Sequence, residues 1–198
     1  GDAAAIPALV GTLETLLSEA PDELQLRLLL VRAYQQMMQP EDALPVLEAA
    51  LERDPFNPRI LYELGSLYLR LDRWEDARAA LERSLEIEPR QPNAYSNLAV
   101  INLQAGDGVG YVKKFIKALE ADPRDHELPG ILAEFLYRLE LLEEGDDFRN
   151  RVMAIAPTSG LAYRTELLRA DLAGDAAAAD AADAADAAPH EARGEDLA

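Results

Sequence analysis

The sequence predicts an all-α protein built from repeated antiparallel helix pairs. Five of its prolines follow one another at a constant spacing of 34 residues: Pro21, Pro55, Pro89, Pro123 and Pro157. Apolar residues before these prolines recur at three- and four-residue steps, as on one face of an α-helix. Proline ends such a helix because it lacks the amide hydrogen that the helix needs. A fixed period of this length is typical of a helical repeat array.

The second copy of the period shows how each repeat divides. Residues 58–71 and 74–87 are two predicted helices joined by a tight turn. Asp72 and Glu75 fit an N-cap and its capping-box partner for the second of these helices. Asn57 is a predicted N-cap for the first helix, which begins with a proline at a position where the missing amide costs nothing.

Large and small residues recur in phase with the prolines. The first copy has Leu30, Tyr34, Ala43, Leu47 and Ala50, and the second has Leu64, Gly65, Tyr68, Ala77 and Leu81. The small residues let two helices approach closely, and the large ones fill the space between them. A single repeat cannot cover its own apolar faces, so stability has to come from the stacking of neighbours.

This order of residues resembles the tetratricopeptide repeat family. The resemblance covers about residues 24–159 and implies a right-handed superhelical solenoid of antiparallel helix pairs. Three positions depart from the family pattern. Arg27 stands where the family has a large apolar or aromatic residue, Asn102 replaces a tyrosine, and Tyr111 occupies a position usually held by alanine.

The phase divides the chain into seven segments. These are a half-repeat or capping helix (1–23), repeats 1 to 3 (24–57, 58–91 and 92–125), a divergent repeat 4 (126–159), a capping helix pair (160–188) and an acidic tail (189–198). Residues 6–19 are in phase with the second helices, and residues 161–173 form a predicted first helix that a turn at Gly174 follows.

Composition excludes several classes of function. The formal net charge of −18 and a pI near 4.4 disfavour binding to nucleic acid. The chain has no cysteine and two histidines, His126 and His190, so neither a thiolate nor a histidine-based metal site is expected. We expect no cofactor, no catalytic group and no membrane insertion, and a soluble protein of the cytoplasm or periplasm.

Residues 106–110 are glycine-rich, but no strand precedes them, so they predict a turn rather than a phosphate-binding loop.

The resemblance also implies where a partner binds. In such arrays the first helices line a concave groove, and the phase gives their outward-facing positions. The predicted groove residues are Gln25, Arg32, Arg59, Tyr62, Ser66, Asn93, Asn97, Glu134 and Tyr137, with Leu28, Gln35, Leu69, Ser96, Val100 and Glu127 at further such positions. Arginines suit carboxylates, and asparagine amides suit the backbone of an extended peptide.

The leading hypothesis is a non-enzymatic scaffold that binds a protein or peptide partner in this groove and so assembles a complex. The alternative is an accessory segment of a larger enzyme that presents substrates or drives dimerisation. Association into a homo-oligomer through the end helices is a third possibility.

Overall fold

The computed structural model describes residues 5–125, 127–157 and 159–186. In that part the chain forms ten α-helices and no strand, which confirms the all-α class. The helices are α1 (Ala5–Glu19), α2 (Leu24–Gln36), α3 (Pro40–Arg53), α4 (Pro58–Arg70), α5 (Trp74–Ile87), α6 (Pro92–Gln104), α7 (Gly108–Ala121), α8 (Glu127–Arg138), α9 (Leu142–Ile155) and α10 (Gly160–Asp186).

The chain divides into two compact units, residues 1–123 and 124–198. The first unit holds α1 and three helix pairs, α2 with α3, α4 with α5, and α6 with α7. The second unit holds the pair α8 with α9, together with α10. The bounds of α4 and α5 match the predicted helices 58–71 and 74–87 to within one residue.

A residue with left-handed backbone closes the first helix of every pair. These residues are Met38, Asp72, Gly106 and Glu140, with φ of 59°, 54°, 76° and 61°, and they follow the same 34-residue period. At each turn two backbone hydrogen bonds recur; in the second pair Asp72 N–H donates to Leu69 O and Arg73 N–H to Tyr68 O. This is the Schellman arrangement, which satisfies carbonyls at a helix end. Residues 106–110 are thus a turn and helix start, as expected.

The helix starts follow the sequence in one case and depart from it in another. The Asn57 side chain accepts hydrogen bonds from the amides of Arg59 and Ile60, at 3.1 and 3.3 Å, which confirms it as an N-cap. The prediction that Asp72 caps α5 is wrong. Asp72 is the left-handed residue of the turn, Arg73 holds the N-cap position, and no side chain caps this helix.

The core of the first unit shows close packing between helices. Leu64 and Leu81 are buried, and Ala77 is inaccessible to solvent. A Cβ placed on Gly65 would lie 2.6 Å from Leu81 Cγ, so glycine is required for α4 and α5 to approach this closely. Tyr68 is only half-buried, and the guanidinium of Arg73 lies 4.5 Å from the centre of its ring.

Helix α1 covers the apolar side of α2. Val10 and Leu13 of α1 pack against Leu30 and Ala33 in one cluster. The Tyr34 hydroxyl donates to Glu14 Oε1 at 2.7 Å, and this hydrogen bond, with burial, raises the pKa of Tyr34 to about 12.

Two of the departures from the family pattern lie in the third pair. Asn102 is buried, and its Nδ2 donates to Asp107 Oδ2 at 3.1 Å while its Oδ1 accepts from Arg78 Nη1 at 3.1 Å. A polar link between α5 and α6 therefore replaces the apolar contact that a tyrosine would make. Tyr111 packs edge-on against Phe115, with ring centroids 4.6 Å apart.

The second unit is organised around Tyr137. Its ring is fully buried over Gly145, where any Cβ would collide with it. The Tyr137 hydroxyl donates to Asp146 Oδ1 at 2.7 Å, and Arg169 Nε donates to the same oxygen at 3.0 Å. The prediction that Tyr137 faces a groove is therefore wrong, because the small Gly145 admits the ring into the core.

The C-terminal helix also differs from the prediction. Helix α10 continues through Gly174 to Asp186 without a turn, so residues 160–186 form one helix and not a pair. A glycine inside a helix lowers its stability without ending it. The predicted tail 189–198, His126 and His190 lie outside the described residues.

The left-handed turns generate a prediction about stability. Met38 is 81% exposed, so Met38→Gly removes no core contact and relieves a backbone conformation that costs an L-residue roughly 1–2 kcal/mol. We expect its free energy of unfolding to rise by about 1 kcal/mol and that of Gly106→Ala to fall by about as much. Urea unfolding followed by circular dichroism measures both. Gly11→Ala, at an open helical position, is the control and is expected to stabilise slightly. A destabilised Met38→Gly would contradict the argument.

The Asp146 cluster generates a prediction about pH. Burial alone would raise the pKa of Asp146, but hydrogen bonds from Tyr137 and Arg169 and the charges of Arg149 and Arg169 outweigh it and lower this pKa. The stability that the carboxylate contributes is therefore present at neutral pH and is lost as the pH falls through the lowered pKa.

We expect Asp146→Asn to lower the free energy of unfolding at pH 7 by about 1.5–3 kcal/mol, because it weakens hydrogen bonds to a charged group. The difference from the natural protein should shrink toward pH 2. Unfolding at several pH values measures it, with the exposed neighbour Asp147→Asn as control. A difference that is independent of pH would contradict the assignment.

Candidate interaction surface

The first helices of the first unit each carry a stripe of exposed and half-buried residues in the same phase. The stripes comprise Gln25, Leu29, Arg32 and Gln36 on α2; Arg59, Glu63, Ser66 and Arg70 on α4; and Asn93, Asn97, Val100 and Gln104 on α6. Within each helix these residues are spaced by four, three and four positions, which places them on one face. We call these twelve residues the first-helix stripes.

Six of the nine predicted groove residues belong to the stripes. Gln25, Arg32, Arg59 and Asn93 are exposed, and Ser66 and Asn97 are half-buried. The Asn97 Nδ2 donates to Ser66 Oγ at 3.0 Å, so the stripes of α4 and α6 lie side by side. A seventh predicted residue, Tyr62, is half-buried beside the α4 stripe and packs against the cluster that contains Ala94 and Leu98.

One apolar position was assigned wrongly from the sequence, and its neighbour was missed. Leu28 is 3% exposed and belongs to the core, whereas Leu29 is 47% exposed. Leu29 follows Gln25 by four residues and precedes Arg32 by three, so the spacing along α2 was the signal that could have identified it. With Val100, which is 45% exposed, it adds an apolar contact to an otherwise polar surface.

Two arginines on the stripes, Arg32 and Arg59, form no salt bridge among the described residues. In residues 5–125, no carboxylate oxygen lies within 4 Å of the guanidinium nitrogens of Arg32 or Arg59. Both residues are exposed to solvent. An arginine fork in this state suits bidentate binding of a carboxylate.

The remaining predicted residues lie in the second unit and are occupied by internal contacts. The Glu134 side chain is 19% exposed, and its Oε1 lies 3.2 Å from Arg164 Nε. Tyr137 is buried against Gly145 and bound to Asp146. Arg164 could not be identified as the partner of Glu134 from the repeat phase, because α10 lies outside the matched helix pairs.

The described part of the chain shows no group of three or more His, Cys, Asp or Glu side chains that could hold a metal ion. Over the same residues, no helix is long and apolar enough to cross a membrane. The stripes carry guanidinium groups, amides, one hydroxyl, one carboxylate and two exposed aliphatic side chains.

Comparison with known proteins supports the repeat assignment. The family model for the tetratricopeptide repeat matches residues 28–92 and 64–110. No curated protein matches the sequence.

Among solved structures, PilF of Pseudomonas aeruginosa is 22% identical, with 87% of this chain and 77% of that chain covered and a TM-score of 0.70. A crystal structure of MamA is 19% identical, covers 73% and 85% of the two chains and has a TM-score of 0.64. MamA from Desulfovibrio magneticus RS-1 is 16% identical, with 76% and 85% covered and a TM-score of 0.65.

At these identities the solved structures show a shared fold. Together with the family match, they agree with the repeated helix pairs described above. Repeats of this kind generally act as non-catalytic protein-interaction modules. Residues 28–110 are therefore tetratricopeptide repeats.

Proposed function

We propose that this protein is a non-enzymatic scaffold that binds an extended segment of a partner protein along the first-helix stripes and thereby assembles a complex. The observation that carries the proposal is the regular repetition of exposed recognition groups on three successive first helices. Each helix contributes its stripe in the same phase, so the surface offers contacts at a regular spacing.

The polar groups suit a peptide more than a small molecule. Arg32 and Arg59 each offer an uncompensated guanidinium for acidic side chains of the partner. Asn93 and Asn97 carry amides that donate to and accept from a peptide backbone, and the bond from Asn97 to Ser66 holds one of them in place.

The apolar groups add affinity and direction. Tyr62 is half-buried beside the α4 stripe, and tyrosine is enriched at binding hot spots. Leu29 and Val100 lie at the same surface on α2 and α6 and favour a partner segment that alternates acidic and apolar residues.

The charge of the whole chain sets a limit on the partner. With a net charge of −18, long-range repulsion slows the approach of a strongly acidic protein. The proposal therefore specifies local pairing at two arginines within a partner that is neutral or basic overall.

A double reversal of charge tests the proposal. Arg32→Glu with Arg59→Glu should weaken partner binding at least tenfold, because two bidentate pairs become repulsive contacts. The measurement is affinity capture from the source lysate with mass spectrometry, followed by titration of each captured protein against the purified variants.

The control is Arg90→Glu with Arg151→Glu, which makes the same change in net charge at two exposed arginines outside the stripes. This control should bind as the natural protein does, and circular dichroism should show unchanged helicity for all three. A partner that binds the stripe variant and the control equally would overturn the groove assignment.

A further inference from the structure

A second polar site lies at the edge of the first unit where the loops before α2 and α4 meet. Here a cleft of about 440 Å³ is lined by Asp22, Leu24, Arg27, Ala50, Arg53, Asp54, Asn57 and Ile60. Arg27 lies two positions after Gln25, a rotation of about 200° around the helix, so the cleft is on the side of α2 opposite its stripe.

Arg27 is a buried charge with neutral partners. It is 9% exposed, and its Nη2 donates to the carbonyl oxygen of Pro21 at 2.6 Å. Its Nη1 makes a longer contact of 3.4 Å to the carbonyl oxygen of Val46. Within the described residues, no carboxylate oxygen lies within 4 Å of this guanidinium. Burial of a cation without an anion is costly, and the family pattern places a large apolar residue here.

A second guanidinium lines the cleft together with Arg27. Arg53 lines the same cleft and is paired with Asp22. Burial, and then the charge of Arg53, lower the pKa of Arg27, with Asp22 opposing them. The Asp22 side chain is 87% exposed, so this pair is easily exchanged for another anion.

The other carboxylate in the cleft is already engaged. Asp54 is exposed, and its Oδ2 accepts a hydrogen bond from Asn57 Nδ2 at 2.8 Å. The small side chain of Ala50 also lines the cleft. An incoming anion thus meets two guanidinium groups and displaces Asp22 from Arg53, while the carboxylate of Asp54 stays bound to Asn57 in the lining.

We propose that this cleft is a binding site for a compact oxyanion, a carboxylate or a phosphate, held between Arg27 and Arg53. Two guanidinium forks match the geometry of either group, and the ligand supplies the negative charge that buried Arg27 lacks. The site does not depend on the proposed function, since it shares no residue with the first-helix stripes.

The test uses the whole chain and two probes. Sodium phosphate represents the free anion, and an acetylated, amidated Gly-Glu-Gly peptide represents a carboxylate carried by a protein. Each is titrated at constant ionic strength against sodium chloride, and the arginine Nε–Hε signals are followed by NMR. We expect saturable shifts at Arg27 and Arg53 with at least one probe, and the probe that binds identifies the source.

Arg27→Leu is the decisive variant. It places an apolar residue where the family has one, so we expect an unfolding midpoint that is unchanged or higher while binding of the probe weakens at least tenfold. The matched control is Arg83→Leu, which removes an arginine bound to the carbonyl oxygen of Pro55 at 3.0 Å, one repeat after Pro21. This control should keep the probe affinity.

Two results would overturn the proposal. One is the absence of saturable shifts with both probes. The other is a lower unfolding midpoint for Arg27→Leu with unchanged probe binding, which would make Arg27 a clamp for the loop before α2. The double variant Arg32→Glu with Arg59→Glu should still show the saturable shifts at Arg27 and Arg53. A failure of the oxyanion-site proposal can therefore be distinguished from a failure of the groove assignment.

Discussion

The reversal of the chain after each first helix is the constraint on which the other features depend. One left-handed residue and two backbone hydrogen bonds turn the chain within three residues, so that the second helix packs back along the first. In the second pair only small residues fit where the two helices then meet, as Gly65 and Ala77 show. In the first unit the opposite face of each first helix stays largely uncovered, and the stripes lie on that face.

Much of this architecture could be predicted from the sequence, because the 34-residue period shows in the spacing of the prolines and in the recurrence of large and small residues. The helix bounds in the second repeat and the cap at Asn57 could be predicted, since each depends on neighbours in the chain. The left-handed residues could not. Met38 and Glu140 have no preference for this conformation; the hydrogen bonds around the turn impose it. Asp72 suggested an N-cap for the same reason that it tolerates the turn, namely its short polar side chain.

The surface was predictable where burial follows the helical phase, and unpredictable where tertiary contacts decide it. Gln25, Arg32, Arg59 and Asn93 are exposed as the phase requires. Tyr137 is not, because Gly145 on the next helix makes room for its ring and Asp146 binds its hydroxyl. Glu134 is paired by α10, a helix that the 34-residue pattern does not describe. Arg27 could be recognised from the sequence as a departure from the family pattern, but its burial and the cleft that it lines could not be predicted.

The hydrogen bond between Asn102 and Arg78 has a consequence for how the array evolves. It joins α5 to α6 through two side chains, of which Asn102 is buried. Among the described residues of the first unit, no other interface between helices has this pair of side chains. Moving, deleting or duplicating either helix pair would leave one of these groups facing an apolar neighbour, at the cost of an unsatisfied buried donor or acceptor. Repeats with the same helix arrangement therefore have a fixed order along the chain. Duplication of a whole repeat at this junction cannot lengthen the array without the cost of an unsatisfied polar group.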